Sequence, residues 1–314
     1  MAKTLKWIGI SLVGLAIVIS AAIFYLKSKF ENLAGRIYTP KVEAITIPGD
    51  SASIERGKVL SVECRTCHGH DLAGSDFFND PMIGYMSSPN LTRALGSATE
   101  KYSDLDYVRT LRHALNPTGR TLMVMPSENI GQMSDQDLGC LIAYLKTVDP
   151  IEKKQGPTNF TFTAKVMAGA GMFGNLYPYD VIDHDAVHHI SAPNISTDPA
   201  YGEYFSKFIG CKSCHGAQLN GGISPDPVSP PAPNITGGGN LGKWTVTQFV
   251  ETMRNGKTPE GKVLKAEFMP WPGIAAHSEV ELEGLYNYLK SLPALPTDPG
   301  VQKKMDKLAS STQE

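Results

Sequence analysis

The sequence predicts an all-α fold, with an N-terminal transmembrane helix followed by two related helical modules. Three observations support this prediction. An uncharged apolar run covers residues 7–26, and one set of motifs occurs twice along the chain in the same order. Helix-start patterns recur in both copies, whereas strand-like alternation of apolar and polar residues is scarce. The 314 residues have room for about two domains of ordinary size.

The apolar run at residues 7–26 is the first element. It follows two lysines, and its length is about that of a helix that crosses the hydrocarbon core of a bilayer. A cleaved signal peptide is the alternative, because a basic start and an apolar stretch fit that class as well. The run is longer than a usual signal-peptide core, and its small residues precede Ile-Phe-Tyr-Leu instead of a polar mature start. We therefore expect residues 1–30 to be an uncleaved anchor and residues 31–50 to be a tether.

The string C-x-x-C-H occurs at residues 64–68 and again at residues 211–215. Two thiols at this spacing can form thioethers with the two vinyl groups of one porphyrin, and the adjacent imidazole reaches the iron. A zinc site would need further ligands and a thioredoxin-like pair would need a βαβ unit, and the sequence offers neither. The sequence thus predicts two covalently bound haem c groups. The residues that would hold them are Cys64, Cys67, Cys211 and Cys214, with His68 and His215 as axial ligands of iron.

Each C-x-x-C-H string opens one longer pattern. It is followed by Pro-Asn-Leu-Thr or Pro-Asn-Ile-Thr, a predicted helix, Met-Pro, and a last helix ending in Tyr-Leu-Lys. An earlier helix precedes each string, starting near Ile54 in the first copy and at Asp198, before a proline, in the second. The other predicted helices begin with capping patterns. These pairs are Ser103 with Asp106, Ser134 with Asp137, Thr245 with Gln248, and Ser278 with Glu281.

Each copy resembles a class I cytochrome c domain. The resemblance implies that a methionine sulfur from the loop before the last helix is the second axial ligand of each iron. Met269 is the only methionine in that loop of the second copy. In the first copy Met123, Met125 and Met133 are all in range, and Met125 is favoured because, like Met269, it precedes a proline. Met123 and Met133 are interpreted as core-filling residues.

The extent of the two copies predicts the order of domains. The segment between them is rich in aromatic residues, which a loose linker rarely carries, so we expect it to be ordered and packed across both domains. The tail is polar and is expected to fray. The predicted boundaries are 51–149 for cytochrome c domain 1, 150–195 for the inter-domain segment, 196–293 for cytochrome c domain 2, and 294–314 for the polar tail.

A few other side chains could carry chemistry. His184, His188 and His189 could bind a metal or line an interface, and a metal site is disfavoured because no second group of ligands lies nearby in the sequence. Cys140 aligns with Gly284 and is interpreted as a small packing residue. Two single histidines are interpreted as surface or packing residues, namely His70 and His113.

Methionine and histidine ligands close both axial positions, so the expected chemistry is electron transfer. The chain resembles the cytochrome subunits of periplasmic alcohol, aldehyde and gluconate dehydrogenases and, less closely, the dihaem subunit of cbb-type oxidases. This implies a dihaem relay of single electrons between a dehydrogenase or quinol-oxidising complex and a terminal acceptor such as an oxidase. Because haem attachment is extracytoplasmic in the cytochromes c that the chain resembles, the domains would lie on the periplasmic side of the cell membrane. The alternative is an enzyme, either a dihaem peroxidase or a thiosulfate-oxidising cytochrome. A net charge of −2 gives no reason to expect a nucleic-acid partner.

Overall fold

The computed structural model describes residues 2–224 and 229–311 as a predominantly helical chain. Two short 3-10 helices, Pro178–Val181 and Asn240–Lys243, lie among the longer elements. The strands are β1 (Ser75–Asp80), β2 (Gly84–Ser88) and β3 (Asn159–Phe160). The α-helices are α1 (Ala2–Gly35), α2 (Ser51–Leu60), α3 (Val62–His68), α4 (Asp104–His113), α5 (Ser127–Ile130), α6 (Asp135–Thr147), α7 (Phe162–Gly169), α8 (Pro199–Phe208), α9 (Cys211–His215), α10 (Val246–Asn255), α11 (Trp271–Ala275), α12 (Glu279–Ser291) and α13 (Pro299–Ser311).

The first helix, α1, contains the predicted apolar run and continues past it to Gly35. The apolar side chains of the run are exposed, as at Leu12 and Val18, so the rest of the chain does not cover them. Among the described residues, α1 is the one helix that is long and apolar enough to cross a membrane, a property that a signal sequence shares.

The predicted capping residues are confirmed at the other helix starts, but α2 begins at Ser51 and not near Ile54, because the Asp50 carboxylate caps it by accepting from the N–H of Ser53 at 3.0 Å. Asp198 caps α8, and Ser134 accepts a hydrogen bond from the N–H of Asp137 at 3.1 Å. The capping box at Ser134 is incomplete. The Asp137 carboxylate binds Arg56 and Tyr204 and does not accept a hydrogen bond from the backbone N–H of Ser134. Complete capping boxes form at Ser103 with Asp106, Thr245 with Gln248, and Ser278 with Glu281.

In each half of the chain, the first helix crosses the last helix at a glycine. Where α2 meets α6, a Cβ added to Gly57 would lie 1.9 Å from the carbonyl oxygen of Cys140. Where α8 meets α12, a Cβ added to Gly202 would lie 2.0 Å from the carbonyl oxygen of Gly284. Cys140 is 3% exposed and belongs to the hydrophobic core, which confirms the prediction of a packing residue.

The Gly202→Ala variant is expected to lose stability, because the added methyl group would push α8 away from α12. Overpacking of a core typically costs about 1–3 kcal/mol, which outweighs the gain of up to ~1 kcal/mol from the higher helix propensity of alanine. Denaturant unfolding measures the loss. Glu203→Ala on the exposed face of the same helix is the control and is expected to change the free energy of unfolding by no more than about 0.5 kcal/mol. Equal stability of the two variants would mean that α8 and α12 can move apart with no loss in the free energy of unfolding.

The prediction of an all-α fold is wrong at residues 75–88 and 159–160, which form a small antiparallel sheet with the order β1-β2-β3. β1 and β2 form a hairpin, and the Asp80 carboxylate closes its turn by accepting from the N–H groups of Met82 at 2.7 Å and Ile83 at 2.9 Å. β3 comes from the inter-domain segment, and its Phe160 pairs with Gly84. The periodicity of a short stretch of sequence cannot predict this sheet, because its third strand comes from a distant part of the chain.

The tail also differs from the prediction, because α13 is helical where fraying is expected. The Asp298 carboxylate accepts from the N–H groups of Gly300 at 2.8 Å and Val301 at 3.1 Å, and Val301 is buried. The Asp-Pro pair that starts α13 is the same signal that starts α8. Residues 312–314 of the predicted tail lie outside the described residues.

The inter-domain segment is ordered and packs against α1 and the first half. β3 extends the sheet, α7 packs on α1, and the Tyr177 hydroxyl donates to the carbonyl oxygen of Phe30 at 3.1 Å. His184 Nδ1 lies 2.9 Å from His113 Nδ1. His113 is fully buried, and this burial, together with His184, lowers its pKa to about 4. His113 is therefore a neutral packing residue, as predicted, and His70 is exposed.

Candidate haem sites

The first C-x-x-C-H string lies on α3, and its histidine ends that helix. His68 is buried, and its Nδ1 lies 2.8 Å from the carbonyl oxygen of Pro89. A carbonyl oxygen only accepts, so Nδ1 carries the proton and donates, which leaves Nε2 as the nitrogen available to a metal. Burial lowers the pKa of His68 and favours the neutral ring that binds iron.

The second string lies on α9 in the same geometry. His215 is buried, and its Nδ1 donates to the carbonyl oxygen of Pro233 at 2.8 Å. Burial lowers the pKa of His215 as well. Both predicted axial histidines are therefore held in one tautomer by a backbone carbonyl, an arrangement that is typical of metal-binding histidines.

The Pro-Asn-x-Thr motif holds each of these carbonyls in place. Asn90 accepts from the N–H of Thr92 at 2.8 Å and donates to the carbonyl oxygen of Ile151 at 2.8 Å, just beyond the last helix of the first half. This role of the motif was not predicted from the sequence, although the occurrence of the motif in both copies is the signal that points to it. The corresponding bonds in the second half join Asn234 to Thr236 at 2.9 Å and to Leu295 at 2.8 Å.

The four cysteines of the two strings form no disulfide bonds. Burial raises the pKa of Cys64 to about 12 and that of Cys211 to about 12. Redox-active and metal-binding thiols have lowered pKa values instead. Burial thus favours the S–H form of Cys64 and Cys211, which is the form that adds across a porphyrin vinyl group.

Met125 and Met269 occupy equivalent backbone positions. The N–H two residues further on donates to the methionine carbonyl oxygen, at 2.8 Å for Met125 and 2.7 Å for Met269. The prolines between them have φ and ψ of −77° and 53° in the first half and −76° and 50° in the second. Both methionine side chains are half-buried against the hydrophobic core.

The other two candidate methionines of the first half, Met123 and Met133, lie elsewhere. Met133 is 1% exposed inside the core, which confirms it as a core-filling residue. Met123 lines an open cavity beside α1 together with Phe30 and Phe160.

The two candidate sites meet across the interface between the halves. Asn129 of α5, just after the first Met-Pro pair, donates to the Ser213 hydroxyl of α9 at 3.0 Å. Conversely, a Cβ added to Gly273 of α11 would lie 2.4 Å from Glu63 Oε1 of α3. Each methionine loop therefore packs on the C-x-x-C-H helix of the other half. Burial raises the pKa of Glu63 to about 7 at this contact.

A buried polar network also joins the halves, and Arg56 lies at its centre. Its guanidinium binds Asp137 of the first half with Nε at 2.8 Å, and it binds Glu281 of the second half with Nη1 at 2.6 Å. The Tyr201 hydroxyl donates to Glu281 at 2.6 Å, and the Tyr204 hydroxyl donates to Asp137 at 2.7 Å. Every carboxylate in this network is paired, as burial requires.

The network shifts the pKa values of its own members. Burial alone would lower the pKa of Arg56, but its hydrogen bonds to Asp137 raise that pKa above the ordinary value. Burial alone would raise the pKa of Glu281, but the hydrogen bond from His277 and the charge of Arg56 lower it far below the ordinary value. Arg56 is therefore a cation and Glu281 an anion at neutral pH.

The fold and site of the first half define a cytochrome c domain, since residues 54–149 match the family model of cytochrome c. A domain of this class carries covalently bound haem c and transfers electrons. The chain as a whole is similar to the cytochrome c subunits of the quinone-type alcohol dehydrogenases of Gluconacetobacter polyoxogenes and Komagataeibacter europaeus, with 23% identity over 306 residues in each case. The similarity covers 88% of this chain and 63% of each relative, so the chain spans less than two thirds of their length.

Proposed function

We propose that this chain is a membrane-anchored dihaem cytochrome c that relays single electrons between a dehydrogenase or quinol-oxidising complex and a terminal acceptor. The observation that carries the proposal is the histidine-to-proline-carbonyl hydrogen bond, present at 2.8 Å in both halves. When bound, haem c takes up and releases one electron at its iron. The first haem would be held by Cys64, Cys67, His68 and Met125, and the second by Cys211, Cys214, His215 and Met269.

The residues around each site favour a relay over catalysis on a substrate. A methionine beside each iron would close the coordination position that a substrate needs. Because each methionine loop packs on the C-x-x-C-H helix of the other half, the two haems would be neighbours within one chain. The Arg56 network would keep them at a constant separation, as outer-sphere transfer requires.

The partner and the location extend this proposal. Similarity to subunits of quinone-type alcohol dehydrogenases supports a dehydrogenase as the electron donor. α1 would anchor the chain in the cell membrane as an uncleaved helix, and both haem domains would lie on the periplasmic side.

Removal of one pair of cysteines tests the number of haems. The double variant Cys211→Ala with Cys214→Ala is expected to retain one haem per chain instead of two, because a single domain loses its thioether bonds. The ratio of haem to protein, from the pyridine haemochrome spectrum, measures this. Cys140→Ala is the control and is expected to keep both haems. A ratio of one in the unaltered protein would contradict the proposal.

Carbon monoxide tests the function. It binds to ferrous haem only where an axial position is open or easily displaced, so the reduced relay is expected to leave both haem spectra unchanged. Rapid binding to one haem would instead favour the enzyme alternative, a peroxidase or a thiosulfate-oxidising cytochrome.

A further inference from the structure

We infer that residues 160–173, which contain α7, form a second membrane contact that lies on the lipid surface beside α1. We call these residues the interfacial segment. The inference rests on the proposed anchoring of α1 in the membrane, and it concerns a part of the chain that binds no haem.

The side chains of α1 indicate where the lipid surface lies. Trp7 is 69% exposed and Tyr25 is 68% exposed, and they lie at the two ends of the apolar run. Aromatic residues of this kind mark the two interfaces of a membrane-spanning helix. The rise of 18 residue steps from Trp7 to Tyr25 corresponds to roughly 27 Å of helix, close to the ~30 Å thickness of the hydrocarbon core. Tyr25 therefore marks the boundary on the side of the folded halves.

The interfacial segment meets α1 at this boundary. A Cβ added to Gly169 would lie 2.0 Å from the carbonyl oxygen of Leu26, so the two backbones touch there. At the other end of α7, the Phe162 ring centroid is 6.3 Å from that of Phe24. The Gly169 and Phe162 contacts thus lie within one turn of Tyr25 on α1. With α1 upright in the membrane, Gly169 and the Phe162 ring lie near the level of the lipid surface.

The composition of the interfacial segment fits a lipid surface. Its only charged residue is Lys165, which pairs with Glu31 of α1 at 2.9 Å. Phe162 is 49% exposed and Met172 is 60% exposed, although both are apolar. Exposed apolar side chains on a short helix and on the turn that follows it, level with the headgroups, are typical of an interfacial element that inserts into the headgroup and acyl boundary.

The interfacial segment is also bound to the first half. Its Phe160 pairs with Gly84 of β2, and the N–H of Thr161 donates to the carbonyl oxygen of Ile83 at 3.0 Å. A segment fixed to the lipid at one side and to the sheet at the other would hold the first haem domain at one height and one orientation. A membrane-bound donor would then meet the same face of that domain in every encounter.

Nitroxide labels in the full-length holoprotein test this inference. Met172→Cys, Leu15→Cys and Val263→Cys are each labelled in a Cys140→Ala background and placed in nanodiscs of phosphatidylcholine with phosphatidylglycerol. The haems are reduced so that low-spin iron is diamagnetic. Power saturation then compares collisions of the label with oxygen, which concentrates in lipid, and with a nickel chelate, which stays in water.

The accessibility of the label on Leu15 shows whether α1 lies in lipid. The label on Val263, an exposed residue of the second half, gives the reference value for a side chain in water. We expect the ratio of oxygen to nickel accessibility at Met172 to be several-fold higher than at Val263 and lower than at Leu15. A ratio at Met172 equal to that at Val263, with Leu15 in lipid, would overturn the inference and leave the anchoring intact. Aqueous values at both Leu15 and Met172 would overturn the anchoring and the inference together.

Discussion

Replacing Met269 with alanine is expected to lower the reduction potential of the second haem by on the order of 100 mV. The thioether sulfur favours ferrous iron, each tenfold change in that preference is about 59 mV for one electron, and axial ligands set haem potentials over about 0.8 V. The haem itself stays attached through Cys211 and Cys214, so the haem content is expected to remain unchanged. A redox titration followed by absorbance measures the potential of each haem.

Three further methionine variants act as controls for this result. Met125→Ala is expected to lower the potential of the first haem in the same way, since its backbone setting matches that of Met269. Met133→Ala and Met123→Ala are expected to leave both potentials in place. An unchanged second potential in Met269→Ala would refute the ligand assignment, and a shift in Met123→Ala would mean that the alignment of the halves is wrong by two residues.

Replacing Arg56 with alanine is expected to destabilise the protein by about 3–5 kcal/mol, because it leaves two buried carboxylates without their cation. Arg56 is also the link between Asp137 of one half and Glu281 of the other. The variant is therefore expected to unfold in two steps, where the unaltered protein unfolds in one. Denaturant unfolding followed by circular dichroism and by haem absorbance distinguishes these cases.

The matched control for Arg56→Ala is Lys58→Ala. Lys58 lies on the same helix, but its ion pair with Glu55 is exposed, with 56% and 67% of the two side chains accessible. Surface pairs of this kind contribute little, so a loss of no more than about 0.5 kcal/mol is expected. A similar small loss for Arg56→Ala would show that the network does not hold the halves together.

The network also predicts sensitivity to acid. The pKa of Glu281 is lower in the folded chain than in the unfolded chain, where a glutamate titrates near ~4.3. Its contribution to stability is therefore complete above about pH 4.3 and is lost as the pH falls below that value. Glu281→Gln is expected to flatten the dependence of the unfolding free energy on pH in this range. A profile that keeps the same slope in that variant would assign the acid sensitivity to other carboxylates.

Helix starts were predictable because a cap depends on residues three positions apart. Ser103, Thr245 and Ser278 form their capping boxes for that local reason. The capping box at Ser134 is the exception. The Asp137 carboxylate does not complete it, because it binds Arg56, which lies 81 positions earlier. The charge-assisted contact with Arg56 is stronger than a local hydrogen bond to a backbone N–H, and the Ser134 N–H donates to the Tyr204 hydroxyl at 2.9 Å instead.

Long-range pairing was not predictable from local patterns. β3 joins a hairpin from which it is separated by the helices α4, α5 and α6. The carbonyl that holds His68 comes from Pro89, on a segment bonded to Ile151. The start of α13 was available as an Asp-Pro pair, but its stability depends on the burial of Val301. Each of these features needs partners that periodicity cannot identify.

By itself, the sequence determined the helical character of both halves, the helix starts and the cytochrome c class of residues 54–149, because these properties are encoded in short-range patterns. Only the tertiary structure decided how the halves face each other. Arg56 and Glu281 are 225 positions apart, and Asn129 and Ser213 are 84 apart, yet these pairs bring the two C-x-x-C-H helices to one interface. The physical reason is that burial of paired charges and close helix packing depend on shape complementarity across the whole chain, which no local pattern encodes.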